Sequence, residues 1–302
     1  RLAQYSFWIA LACGVISLGA LLVDKSLMVY LKKLYDTPDG IISFLCALTA
    51  GGLFYYGFHS GKKHKMQVFS NDAIIFTGIV FTALAIGFFV KGLEHSSSYI
   101  HFTLLFATLV YGLLAYGFKS KLLWFFSLVS LGSWFAAQTA IYSGKVDYRF
   151  IGLNFPLRFV FFGLAITLIA LAIKNHSKFK LFYGTTYIGG MVYLFISLWL
   201  VSIFGNFTAL DEWHEIRQTH MFPWAILSAA ACILSIFIGL KYRDDVAREF
   251  GITFLFLNLY TRYFEYFWDS WHKALFFCIL AASFWFIGKR AEKIWNLEFL
   301  KK

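Results

Sequence analysis

The sequence predicts an all-α, polytopic integral membrane protein of about ten transmembrane helices arranged as helical hairpins. Of the 302 residues, 60% are hydrophobic and only 14% are charged, whereas a soluble domain carries roughly a quarter of charged residues. The apolar residues form stretches of about 20, the length that crosses a hydrocarbon core roughly 30 Å thick. Each stretch is apolar on all sides, which excludes the alternating pattern of a transmembrane barrel.

Ten stretches are long enough to span, and each is predicted to be a helix because a segment in lipid must satisfy its own backbone hydrogen bonds. In chain order they cover residues 5–23, 40–59, 72–93, 99–118, 122–143, 156–173, 182–204, 222–241, 249–267 and 271–289. The connections are too short for a second soluble fold, so residues 1–302 are predicted to form a single transmembrane bundle. The chain enters the membrane soon after Arg1, and we expect a soluble N-terminal region before that residue.

The charges of the loops predict the orientation. Of the 27 Lys and Arg residues, 16 lie after spans two, four, six and eight or in the C-terminal tail. Because cytoplasmic loops are enriched in basic residues, both termini are predicted to be cytoplasmic. Four of these ends also carry a glycine before the basic residues, namely Gly57, Gly117, Gly239 and Gly288. The repetition indicates duplicated hairpins, although any helix that stops at this interface favours Gly followed by Lys.

The expected partners are membrane lipids. A formal net charge of +11 would also suit nucleic acid, but the basic residues are spread over short loops rather than gathered on one face. A protein partner or a second copy of the chain remains open. No cofactor is expected, because the sequence contains no phosphate-binding Gly-rich loop, no GxSxG and no paired-His haem arrangement. The four cysteines lie in apolar stretches without CxxC spacing, as packing residues do.

The ninth span carries the main candidate site. Placed at 100° per residue, its polar side chains fall in one sector about 100° wide; they are Asn258, Arg262, Glu265 and Asp269. Ionisable groups at membrane depth are costly and mark functional sites. One interpretation is an outward-facing cavity with Arg262 as anion anchor, Glu265 as its ion-pair partner or proton carrier, and Asn258 as a hydrogen-bonding group. The other is an interhelical salt bridge that holds the bundle together, with Asp269 simply in a loop.

Two further groups are weaker candidates. Arg158, at the outer end of its span, is expected to join Arg262 in a positive external vestibule. In the seventh loop, His214, Glu215 and His220 are metal-ligand types, but they lack HExxH spacing, and a solvated interfacial turn explains them equally. An envelope enzyme would require His214, Glu215 and His272 to converge, so the sequence does not favour an enzyme.

The C-terminal segment RYFEYFWDSWHKALFFCILAASFWFIGKRAEK, Arg262–Lys293, resembles the closing hairpin of a bacterial membrane-protein family catalogued as domain of unknown function 2157. The shared pattern is an Arg/Tyr-Phe-acid helix end, a short outer turn, an apolar helix with Leu-Phe-Phe, then Gly and a basic tail. The turn here is Ser270-Trp271-His272, where the family has a Leu-Pro pair. The resemblance implies a bacterial inner-membrane location and a soluble helical N-terminal region, and it supplies no activity.

Together these patterns favour a multi-pass protein of the bacterial cytoplasmic (inner) membrane that binds or transports a small polar or anionic solute through an outward-facing cavity. The first alternative is a non-catalytic membrane scaffold or assembly subunit, in which the polar residues of the ninth span hold helices together. The second alternative is an envelope enzyme that acts on a lipid-linked substrate.

Overall fold

The computed structural model describes residues 38–63, 68–92, 100–143, 149–207, 213 and 218–289. The described chain is all-α, as predicted, and its nine α-helices of four or more turns run in the order α1 (Asp39–Lys63), α2 (Val68–Gly92), α3 (Ile100–Phe118), α4 (Lys121–Tyr142), α5 (Phe155–Ile173), α6 (Tyr183–Phe204), α7 (Phe222–Tyr242), α8 (Asp245–Phe267) and α9 (Lys273–Lys289). The first predicted span, 5–23, and most of the first loop lie outside the described residues.

Seven of these helices, α1 to α7, are long and apolar enough to cross a membrane. They correspond to the second to eighth predicted spans, and they identify a multi-pass membrane protein. Large apolar side chains on them are exposed, such as Leu113 at 73%, Leu168 at 56% and Phe237 at 60%, and lipid is the environment that would cover them. The helices α8 and α9 form at the ninth and tenth predicted spans but are not among the seven. α8 places Asn258, Arg262 and Glu265 among its apolar residues, and α9 has 17 residues.

The chain divides into two compact units, Arg1–Ala137 and Gln138–Lys302. The single bundle over residues 1–302 therefore stays a prediction. In the first unit, α1 and α2 pack along their length. Two contacts join the start of α1 to the end of α2. Ser43 Oγ donates to Ala85 O at 2.7 Å, and Lys91 Nζ pairs with Asp39 Oδ1 at 2.9 Å. Tyr111 of α3 donates its hydroxyl to Ile79 O of α2 at 3.1 Å.

In the second unit, helices α5 to α8 share one buried cluster, formed by Ala170, Tyr187, Met191, Phe195, Cys232 and Ala247. Consecutive helices pack most extensively as α5 with α6 and as α7 with α8. The first pair is joined through the basic connection 174–182, and the second through 243–244, where Arg243 follows Lys241 at the end of α7 and Asp244 precedes α8. The hairpins thus turn at the basic ends of the spans, the ends predicted to be cytoplasmic.

Two capped helix starts position the ends of this unit. Asn154 Oδ1 accepts from Leu157 N at 3.1 Å and caps α5, with Pro156 in the first turn. Asp244 Oδ1 accepts from Ala247 N at 3.1 Å and caps α8. Both side chains satisfy backbone N–H groups that a helix start leaves without an intrahelical partner. Asn154 and Asp244 therefore determine where α5 and α8 begin.

Candidate functional site

The polar stripe of α8 lies against α6 and α7. Asn258 is buried, with 4% of its surface exposed, and its Nδ2 donates to Ala225 O of α7 at 3.2 Å. One turn further on, Thr261 Oγ1 accepts from Trp199 Nε1 of α6 at 2.9 Å. The stripe that helical angles place on one side of α8 is therefore a contact surface with two neighbouring helices.

Arg262 and Glu265 form an ion pair at the end of this stripe. Arg262 Nη1 lies 2.5 Å from Glu265 Oε2, and Nη2 donates to Glu265 Oε1 at 2.8 Å. The same Nη2 donates to Ser202 O of α6 at 2.8 Å. The two side chains are 12% and 19% exposed. One charge-assisted hydrogen bond, from Nη2 to Oε1, therefore joins the pair, and the close approach of Nη1 and Oε2 is an ion-pair contact without a hydrogen bond in the described part of the chain.

Three buried atoms of this ion pair, Arg262 Nε and Nη1 and Glu265 Oε2, make no hydrogen bond with the described residues. Arg262 Nε is buried and makes no hydrogen bond within the described part of the chain. A buried donor without a partner costs about 1–3 kcal/mol, and more when the group is charged. Arg262 is thus held by Ser202 and Glu265 while its buried Nε makes no hydrogen bond with the described residues.

Asp269 and Arg158, the other two predicted site residues, lie in different surroundings. Asp269 is exposed in the turn that follows α8. Arg158 is 2% exposed near the start of α5, where its Nε donates to Leu153 O at 3.0 Å and its Cζ lies 4.7 Å from the centre of the Phe155 ring. Arg158 is therefore engaged with the segment around its own helix start. Its participation in a vestibule with Arg262 stays a prediction.

The metal-ligand candidates fall largely outside the described residues, which contain neither His214 nor Glu215. His220 is exposed at the start of α7, and His272 accepts from Ala274 N in the turn before α9. Within the ranges that the structure describes, no three His, Cys, Asp or Glu side chains lie close enough to hold a metal ion. The metal site and the convergence that an enzyme would require stay predictions.

A second polar group, which the sequence did not predict, lies at the other end of the same unit. Tyr187 donates its hydroxyl to Asp244 Oδ2 at 2.6 Å, across 57 residues of chain. The sequence does indicate that Asp244 caps a helix, because an Asp directly before an apolar run is typical of a helix start. Nothing in the sequence pairs it with Tyr187, because that contact depends on how α6 packs against the α7–α8 turn.

No family model, no curated protein and no solved structure matches this chain. The resemblance of Arg262–Lys293 to the family of unknown function consequently stays an expectation. The fold and the helix composition define the class as a multi-pass membrane protein.

Proposed function

We propose that this multi-pass membrane protein binds a small anionic solute at the Arg262–Glu265 pair and moves it across the bacterial cytoplasmic membrane, with both termini in the cytoplasm. The observation that carries the proposal is the buried guanidinium whose Nε has no acceptor among the residues that the structure describes. The orientation and location rest on the basic loops and on the family resemblance, which put the Glu265 end of α8 outside.

The chemistry follows from the pair itself. An anionic oxygen would accept a hydrogen bond from Arg262 Nε and so remove the free-energy cost of a buried donor that has no acceptor. Glu265 neutralises the guanidinium when no anion is present, and its protonation would release the guanidinium to the anion. Arg262 is then the anion anchor, and Glu265 is its ion-pair partner and proton carrier. Asn258, which donates to Ala225 O, holds α8 in place below them.

A scaffold is the second candidate, and a specific observation favours it. Three consecutive polar contacts of the stripe, from Asn258, Thr261 and Arg262, end on atoms of α6 or α7. Under this interpretation the ion pair fixes the packing of α8, and the unit serves as a rigid platform for assembly. A buried ion pair is weak evidence for stability in itself, because desolvation offsets most of its Coulomb attraction.

Anion-dependent unfolding separates the two candidates. The full chain is purified in detergent, and its thermal midpoint is measured with phosphate, sulfate, acetate or succinate at constant ionic strength. If Arg262 anchors an anion, one of these raises the midpoint saturably, since a ligand at 100 times its Kd adds about 2.7 kcal/mol to the free energy of unfolding. Arg262→Lys keeps the positive charge but loses the planar guanidinium with its several N–H donors, so it should greatly weaken this response.

The matched control is Arg248→Gln on the same helix. Arg248 also pairs with a carboxylate three residues away, Asp245 at 2.9 Å, and its buried Nε likewise makes no hydrogen bond with the described residues. Its variant should retain the anion response if the anion binds at Arg262, and loss of the response in this variant would contradict that assignment. The scaffold is supported if no anion acts on the wild type, Arg262→Met alone lowers stability by about 3–5 kcal/mol, and Arg262→Met with Glu265→Leu restores it. That result would refute solute binding at this pair.

A further inference from the structure

A pocket of about 500 Å³, lined by both apolar and charged side chains, opens at the end of the second unit opposite to Glu265. It lies where α5 and α7 end and where α6 and α8 begin, the end that loop charges predict to be cytoplasmic. Its charged and hydroxyl-bearing lining consists of Lys174, Tyr183, Tyr187, Arg243, Asp244 and Asp245, together with Tyr242 at the rim. Four helix ends from two connections, α5–α6 and α7–α8, are needed to build it.

Both carboxylates of the pocket have donors within the protein. Asp244 accepts from the Tyr187 hydroxyl at 2.6 Å and from Ala247 N at 3.1 Å. Asp245 Oδ1 pairs with Arg248 Nη2 at 2.9 Å. Asp245 is thus paired with a cation, whereas Asp244 keeps its charge and is held by two neutral hydrogen-bond donors.

The two cations of the pocket are not compensated in this way. Lys174 and Arg243 are exposed, and neither pairs with a carboxylate among the residues that the structure describes. Lys174 Nζ lies over the Tyr183 ring, 5.5 Å from its centre. The connection that follows Lys174, residues 175–182, adds two further lysines and no acid. The pocket therefore presents unpaired positive charge at its opening.

The walls of the pocket continue onto the apolar surface of the spanning helices. Leu171 of α5 and Ile238 of α7 line it and are 45% and 39% exposed. Each lies within about a turn of the end of its helix, on the side toward the membrane interior. A ligand that matches this site has an anionic head next to Lys174 and Arg243 and an apolar tail along Leu171 and Ile238.

We propose that this pocket binds the phosphate group of an anionic phospholipid from the cytoplasmic leaflet. Basic pockets between spanning helices on the cytoplasmic side are suited to such headgroups, and the lysines of the connection would attract the anionic surface around them. The tail lies along Leu171 and Ile238, which a free phosphate ion would leave uncovered. The site shares no residue with the Arg262–Glu265 pair.

Arg243 offers an unusually clean test, because its backbone φ is 52°. This left-handed conformation favours glycine, so Arg243→Gly removes the guanidinium while retaining the turn between α7 and α8. Lys119, which follows α3, has the same φ of 52° and also lies at a predicted cytoplasmic helix end. The pair of variants Arg243→Gly and Lys119→Gly thus makes the same backbone change and the same charge change at two different places.

The experiment compares Lys174→Gln/Arg243→Gly with the control Lys119→Gly/Lys121→Gln in the full chain. Each protein is titrated with phosphatidylglycerol or phosphatidylcholine in mixed micelles, and bound lipid is counted by native mass spectrometry alongside the thermal midpoint. Wild type and control should bind phosphatidylglycerol in preference to phosphatidylcholine. Removal of both pocket cations should weaken that binding about tenfold or more.

Equal lipid responses of the two double variants would overturn the proposal, because they would show general attraction of a basic protein to an anionic micelle. Equal binding of the two lipids by wild type would overturn it as well. Inorganic phosphate is added alone as a third arm, and stabilisation by phosphate that lipid does not increase would refute the lipid assignment. Arg262→Lys should keep the lipid response, so failure of the solute proposal would remain distinguishable from failure of this one.

Discussion

At the scale of single residues, Asn154 shows how one polar side chain joins separate parts of the second unit. Its Nδ2 donates to Gly205 O at 2.9 Å and to Phe207 O at 3.0 Å, while its Oδ1 caps α5. The side chain is 2% exposed, so water cannot replace these bonds. Asn154 therefore ties the start of α5 to the end of α6, a connection that spans more than 50 residues of chain.

Asn154→Asp should destabilise the protein although it keeps the helix cap. The second carboxylate oxygen would face the Gly205 and Phe207 carbonyls, and an acceptor facing acceptors in a buried site costs about 1–3 kcal/mol or more. The thermal midpoint in detergent measures the effect. Asn175→Asp, the same substitution in an exposed turn, is the control and should shift the midpoint little. Equal shifts would show that the network around Asn154 does not contribute to stability.

At the scale of helices, α5 and α6 approach through two glycines. A Cβ on Gly163 would lie 2.7 Å from Leu194 Cα, and one on Gly190 would lie 2.7 Å from Thr167 N. Both contacts are with backbone atoms of the partner helix, which cannot move aside as a flexible side chain can. The absence of a Cβ at these two positions is what allows close backbone packing, as small residues do between membrane helices.

Gly163→Ala and Gly190→Ala should each lower stability by about 1–3 kcal/mol, because an added methyl group forces the helices apart. The matched control is Gly184→Ala, also in α6, where a Cβ would meet nothing within 4 Å. That change should be neutral or slightly stabilising, since alanine has the higher helix propensity. Thermal unfolding in detergent compares the three variants, and a neutral Gly163→Ala would contradict the observed approach.

Glycine position in the sequence does not by itself predict such contacts. Of the four glycines that precede basic residues, Gly57, Gly117 and Gly288 would meet nothing within 4 Å if they carried a Cβ. Only Gly239 lies against a neighbour, the backbone of Arg248 at 2.7 Å. The repeated pattern thus coincides with close packing at one end only. At the other three ends, helix termination at the membrane interface is sufficient to explain the glycine.

At the scale of the whole molecule, the membrane topology depends on whether α8 crosses the membrane. It has 23 residues, a length of about 34 Å at 1.5 Å per residue, which is sufficient to cross the membrane. If α8 crosses the membrane, the donors and acceptors on α6 and α7 would supply the hydrogen bonds that its polar residues need at lipid depth. A spanning α8 would put the α7–α8 turn and the turn after α8 on opposite sides.

Thiol labelling tests this arrangement. In a background without the four native cysteines, Asn175→Cys and Asp269→Cys place single thiols in exposed turns at the two ends of the unit. A membrane-impermeant maleimide added to intact bacterial cells should label the thiol at position 269 and leave that at 175 unmodified until the cells are opened. Labelling of both positions from outside would refute the cytoplasmic placement of the 174–182 connection.

The sequence by itself determined the class and most of the helix positions. Spanning helices are predictable because lipid offers no hydrogen bonds to the backbone, so length and apolar composition suffice. The seven apolar helices α1 to α7 therefore appear where hydropathy puts them. The stripe of Asn258, Arg262 and Glu265 on one side of α8 likewise follows from helical geometry alone.

Only the tertiary structure decided what those side chains meet. The contacts of Arg262 with Ser202 and of Tyr187 with Asp244 join residues about 60 positions apart, and local periodicity carries no information on such pairs. Which helices touch depends on small-residue approaches such as Gly163 and Gly190, where a few tenths of an ångström determine the fit. The pocket at Lys174 and Arg243 exists for the same reason, since it forms only when four helix ends are packed together.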